Sequence, residues 1–127
     1  MSTRSTIWIK NEDGTFSGVY CHFDGYLSGN GMTLKRYYKT ADKVRELVAL
    51  GSLSVLEENT EKCIAYHRDR GVDLCIYSDV EEKELPKYQE EYNYFFIDGK
   101  WKYTEAGEKE MKDLEKALSK IKKEEKE

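Results

Sequence analysis

Arg4-Ser5-Thr6-Ile7-Trp8-Ile9-Lys10, then Asn11-Glu12-Asp13-Gly14-Thr15, then Phe16-Ser17-Gly18-Val19-Tyr20-Cys21-His22-Phe23-Asp24 is the stretch that decides the fold. Its first part alternates, with Ile7 and Ile9 on one face and Thr6, Trp8 and Lys10 on the other, which is the period of a strand. Asp13-Gly14 marks a turn. The chain resumes with Val19, Cys21 and Phe23 on one face and Tyr20, His22 and Asp24 on the other. Two alternating runs around a turn predict an antiparallel hairpin.

Downstream, Gly25, Gly29 and Gly31 punctuate a loop, and Met32 to Tyr38 reads as a short helix. Thr40 is placed to cap a second helix whose buried stripe is Val44, Leu47 and Val48, with Gly51 past its end. Ser52 to Thr60 reads as connective chain. Cys63–Tyr66 and Leu74–Tyr77 read as short strands around a polar turn, residues 66–71. Ser78 or Asp79 would cap an acidic helical stretch that Pro86 kinks or restarts. Tyr92–Ile97, Asp98-Gly99 and Lys100–Tyr103 form a second hairpin.

From Thr104 onward the pattern is helical. Met111, Leu114, Leu118 and Ile121 make a narrow stripe among lysines and glutamates. Such a helix must dock to persist, either on its own sheet or on a second copy. The expectation is an α+β fold: an antiparallel sheet of about five or six strands with two to three helices, one a C-terminal amphipathic helix. Residues 1–104 form the core domain and residues 105–127 a charged helix that is a candidate assembly element.

The 127 residues are one domain's length. Apolar residues are 39% and charged residues 36%, so a modest core lies under a solvated surface. No apolar run is long enough for a membrane span, and no segment has signal-peptide character. Three cysteines without a close pair read as free thiols, so a cytoplasmic protein is expected. A net charge of −4 argues against a DNA-coating protein.

Few motifs carry chemistry. Cys21 and His22 are adjacent on a strand and point to opposite faces, so they cannot easily share a metal. Cys63, Cys75 and His67 lack paired ligand spacing. No strained nucleophile turn supports a Cys–His enzyme. His67-Arg68-Asp69 matches a kinase tripeptide by accident, because the rest of that signature is missing. The glycines at 25, 29 and 31 match no phosphate loop or dinucleotide fingerprint. No cofactor is implied.

Three segments are candidates for binding. Tyr66, Arg68 and Arg70 bring two of the chain's five arginines beside a ring, and a guanidinium fork suits phosphate or a base face. A solvated turn with Arg–Asp pairing is the competing reading. Tyr92, Asn93 and Tyr94 offer rings for stacking and an amide for a base edge, although one face of that strand must be core. His22, Asp24 and Tyr26 flank the glycine-rich loop.

Thr3 to Lys10, Asn11-Glu12-Asp13-Gly14, Val19 to Tyr26, Ala65-Tyr66-His67-Arg68-Asp69-Arg70-Gly71 and the hairpin from Tyr92 to Trp101 together resemble a family of small phage and prophage proteins. The resemblance covers most of residues 3–104 and is to the first Thoeris anti-defence family, the phage "sponge" proteins. It implies a ligand sink that sequesters a TIR-derived cyclic ADP-ribose signal in the host cytoplasm without degrading it. Some members also hold cyclic oligonucleotides at another site of a higher oligomer. It therefore implies a homo-oligomer, a dimer or higher, and no catalytic residues. The alternative is a protein that blocks a host defence protein by direct contact.

Overall fold

The computed structural model describes residues 2–125, with side chains described through residue 121. The first hairpin forms as its alternation dictates: β1 (Ser5–Lys10) pairs antiparallel with β2 (Phe16–Cys21). Gly18 is there because the indole of Trp8 lies over it. A Cβ at that position would also meet the Ile7 carbonyl at 2.8 Å.

After β2 the chain makes a π-helical turn (Leu27–Gly31) that runs directly into α1 (Met32–Tyr37) and then α2 (Ala41–Val48). Thr40 accepts a hydrogen bond from the Lys43 backbone N–H and caps α2, whose buried residues are Val44, Leu47 and Val48. The chain then returns beside β2 as β3 (Leu53–Val55), where connective chain was expected. This pairing is parallel, with Cys21 opposite Leu53. A parallel neighbour requires a crossover of a dozen or more residues, and residues 22–52 provide it. β3 is three residues long, too short for its alternation to stand out.

β4 (Ile64–Ala65) pairs with β3, and the expected polar turn is one helical turn, α3 (Tyr66–Arg70). The next strand is β5 (Tyr77–Val80), shifted beyond the expected Leu74–Tyr77 so that it pairs with the first half of β2. Ser78 and Asp79 therefore lie in a strand and cap nothing. A 3-10 helix (Glu82–Tyr88) follows and includes Pro86.

The second hairpin is as expected: β6 (Tyr92–Ile97) and β7 (Lys100–Glu105) pair antiparallel. Asp98 and Gly99 both have positive φ, 50° and 78°, the turn that matches strand twist. β6 lies parallel to β1, so the sheet is mixed rather than antiparallel. Among the described residues eight strands run in the order β4-β3-β2-β1-β6-β7-β8, where β8 is Lys112–Asp113, with β5 also beside β2.

The region after Thr104 departs from expectation. Residues 104–105 are still strand, a turn follows, and β8 (Lys112–Asp113) precedes α4 (Leu114–Glu125). Met111 is not on the helix. It packs with Trp8, Phe16, Val80, Leu85 and Phe95 on one face of the sheet. Leu114 and Leu118 are buried on the opposite face with Ile7, Leu34, Tyr94 and Tyr103. The α4 stripe is thus used on its own sheet, and the helix is built into the core of residues 5–105. Both sheet faces are covered. α1, α2 and α4 close the larger core, and the 3-10 helix and Met111 close the smaller one.

Candidate functional site

β2 aims Val19 and Cys21 into the larger core, so Tyr20 and His22 point to the other side of the sheet. There the Tyr20 hydroxyl lies 2.6 Å from His22 Nδ1. The His22 ring meets Phe23 edge-on at a centroid separation of 4.5 Å. Burial pushes the Tyr20 hydroxyl above its ordinary pKa. The charge of Arg4 opposes that shift, while Glu90 and Tyr66 reinforce it. Tyr20 therefore lies within electrostatic range of Arg4, Glu90 and Tyr66.

α3 contributes Tyr66 and Arg70. The Tyr66 backbone N–H donates to Ser52 O (3.1 Å), which ties the start of the turn to the sheet. The Arg70 guanidinium lies 5.4 Å from the centroid of the Tyr66 ring. Among the described residues, neither Arg4 nor Arg70 has an ion-pair or side-chain hydrogen-bond partner, and both are exposed. The groups on offer are the Tyr20 and Tyr66 rings and hydroxyls, the His22 imidazole and the exposed guanidiniums of Arg4 and Arg70.

Arg68, the other arginine expected at the site, does something else. Its guanidinium donates to Thr60 O (2.8 Å), to Cys63 O (2.7 Å) and to both carboxylate oxygens of Asp69 (3.0 Å each). Asp69 also accepts from the Ala65 N–H (2.8 Å). Its carboxyl is held below the ordinary range, first by Arg68 and then by that backbone bond. Arg68 is a clamp that fastens residues 60–63 to α3, and its fork is occupied.

The Tyr92-Asn93-Tyr94 expectation is corrected as well. Tyr94 is fully buried on the larger-core side and donates to Gly25 O (2.6 Å). Burial pushes its hydroxyl far above the ordinary pKa. Asn93 is fully buried on the other side. It accepts from Thr6 Oγ1 (2.7 Å) and the Glu90 N–H (2.9 Å), and donates to Glu90 O (3.1 Å) and Thr104 Oγ1 (3.3 Å). Every hydrogen-bonding position of the amide is filled, so it cannot read a base edge. Tyr92 is half-buried against the larger core, and burial followed by Glu105 raises its pKa.

Asp24 and Tyr26 are exposed and pair with each other, Tyr26 donating to Asp24 Oδ1 (3.3 Å). No hydrogen bond, ion pair or ring contact among the described residues joins them to Tyr66 or Arg70. Of the nine expected residues, Tyr66 and Arg70 stand together on α3, and His22 pairs with Tyr20, whose hydroxyl feels the charge of Tyr66. Tyr20 and Arg4 were missed as site residues. The period of two in β2 already placed Tyr20 beside His22, whereas nothing local marks Arg4.

The remaining chemistry-bearing groups are engaged or separate. His67 Nδ1 lies 2.8 Å from Val72 O. Cys21 is buried, and burial pushes its thiol up to about 12. No group of three or more metal-ligating side chains occurs among the described residues. No helix among them is long and apolar enough to cross a membrane. No protein-family model, curated protein or solved structure matches the chain.

Proposed function

We propose that the chain is a non-catalytic binder of an anionic nucleotide signal, of the cyclic ADP-ribose type made by TIR-domain defence enzymes. In this reading it is a phage anti-defence protein that works in the host cytoplasm by sequestration. The single observation that carries the reading is the surface of Arg4, Tyr20, His22, Tyr66 and Arg70, where exposed guanidiniums without an ion-pair partner flank aromatic rings. The sequence resemblance selects the ligand class. A pyrophosphate would take the guanidiniums, and charge-assisted hydrogen bonds contribute about 1.5–3 kcal/mol each. An adenine would take a tyrosine face, worth roughly 1–3 kcal/mol. Nanomolar affinity needs about −12 kcal/mol, so further contacts from Tyr20 and His22 are required.

The reading keeps a homo-oligomer, formed through a surface other than the α4 stripe, which is already buried. The test is calorimetry with the cyclic signal, followed by heating of the complex. Intact ligand recovered from the denatured sample supports sequestration. A cleaved product makes the protein an enzyme, and no heat of association removes the proposal. A second reading, inhibition of a host protein by contact, is favoured by the exposed apolar side chains of Val72 and Leu74, each 50% exposed in the segment between α3 and β5. Stoichiometric capture of one host protein, with no nucleotide effect on melting, selects that alternative.

A further inference from the structure

A polar row crosses the sheet on the side of the smaller core. Tyr20 stands opposite Thr6, Thr6 opposite Asn93, and Asn93 opposite Thr104. The hydrogen bonds along it have one direction. Trp8 Nε1 donates to Thr6 Oγ1 (2.7 Å), Thr6 Oγ1 to Asn93 Oδ1 (2.7 Å), and Asn93 Nδ2 to Thr104 Oγ1 (3.3 Å). Thr104 is the last member. Its oxygen accepts, and its own proton has no acceptor among the described residues. Thr104 is 1% exposed, so that proton is a buried donor without a partner.

Thr104 also lines a cavity of about 340 Å³. Leu85, Pro86, Phe95 and Met111 supply the apolar part of its lining, and Glu82, Lys83, Gln89 and Lys109 also line it. The volume falls at the lower end of the ~300–1,000 Å³ typical of small-molecule sites. Met111 is half-buried and unbranched, the lining side chain best able to move aside. Among these lining residues Thr104 is the buried one that carries an unpartnered donor, and beside Leu85, Phe95 and Met111 it suits a mainly apolar molecule with a hydrogen-bond acceptor at its leading end.

We propose that the cavity between the 3-10 helix, β6, β7 and Met111 binds a small, uncharged, mainly apolar ligand whose carbonyl-type oxygen accepts the Thr104 proton. This site is separate from the Tyr66–Arg70 surface and stands or falls independently of the nucleotide reading. Acetophenone and ethylbenzene serve as paired probes, a methyl phenyl ketone and the hydrocarbon with CH2 in place of its carbonyl. The full chain is labelled at its methionine methyls and titrated by NMR. The Met111 methyl shifts saturably, while Met32, which packs against the opposite core, does not. Acetophenone binds more tightly than ethylbenzene.

Thr104→Val weakens acetophenone by roughly 2- to 12-fold, the ratio for a neutral hydrogen bond of about 0.5–1.5 kcal/mol, and leaves ethylbenzene unchanged. Thr104→Ser keeps the preference. No saturable shift at Met111 overturns the proposal, as does equal affinity for the two probes. An acetophenone affinity that Thr104→Val leaves unaltered does so too. If Thr104→Val does not fold, the comparison of the two probes on the wild-type chain and on Thr104→Ser decides the matter.

Discussion

Replacing Asn93 by alanine removes four hydrogen bonds at once. Two of the groups left behind are the hydroxyls of Thr6 and Thr104, 0% and 1% exposed; Thr6 lies away from any cavity lining among the described residues and gets no water in place of its partner, whereas Thr104 lines the cavity of about 340 Å³. Each such group costs about 1–3 kcal/mol when stranded. The Glu90 backbone groups are half-buried, and solvent compensates them in part. The expected loss is about 3–5 kcal/mol. For a chain of this length that corresponds to a melting temperature lower by roughly 12–20 °C. Circular dichroism melts and urea titrations measure it.

Asn93→Asp sharpens the test. The carboxylate still accepts from Thr6 and from the Glu90 N–H, but it donates nothing and buries a charge. Burial raises its folded pKa above the unfolded value, so its contribution to stability is present at acidic pH and is lost as pH rises. Asn93→Asp therefore recovers relative to wild type as the pH falls toward 4. A melting temperature for Asn93→Ala within about 4 °C of wild type would mean that the amide is not the hub of the row, and the reasoning fails.

Arg68→Ala lowers stability and makes residues 60–63 sensitive to proteolysis, whereas Arg70→Ala leaves the melt unchanged and weakens nucleotide binding at least tenfold in calorimetry. Acid weakens the Arg68 clamp: the Asp69 carboxyl is held below its ordinary value, so its stabilising contribution is fully present above that ordinary value and is lost as pH falls from there through the lower folded value. Asp69→Asn flattens that part of the pH profile of the melting midpoint. Truncation after Glu105 removes Leu114 and Leu118 from the larger core. It gives a dye-binding, poorly folded chain rather than a folded one of smaller assembly size, and Leu118→Ala alone costs about 2–5 kcal/mol in urea titration. Alkylation at pH 8 labels exposed Cys75 and spares Cys21, whose thiol is buried with a pKa near 12. Equal labelling, read by peptide mass spectrometry, would contradict the burial of β2.

Local signals reached as far as local structure. The Asp13-Gly14 and Asp98-Gly99 turns, the Thr40 cap and the Val44–Leu47–Val48 stripe each place chain within a few residues, and each stands where it was expected. Elements defined by distant partners were missed. β3 and β8 are too short to show a period and exist because β2 and β7 present open edges. Met111 continues the spacing of Leu114 and Leu118 in sequence, yet the chain turns between them and sends it to the opposite face.

The candidate site follows the same division. Residue types that suit an anionic nucleotide were visible in Arg70, Tyr66 and His22, because a guanidinium or a ring has its chemistry wherever it stands. Which of them is free was not visible. Arg68 and Arg70 are two residues apart, and only the approach of residues 60–63 makes one a clamp and leaves the other exposed. Asn93 and Tyr94 became framework because β6 lies inside the sheet, between β1 and β7, where both faces are covered. Sequence by itself determined the hairpins, the capped helix and the stock of side-chain chemistry, all of which depend on neighbours within a few residues. Tertiary structure decided which polar groups satisfy one another and which are left over for a ligand, because hydrogen-bond donors and acceptors are matched in space, between residues as far apart as Thr6 and Asn93.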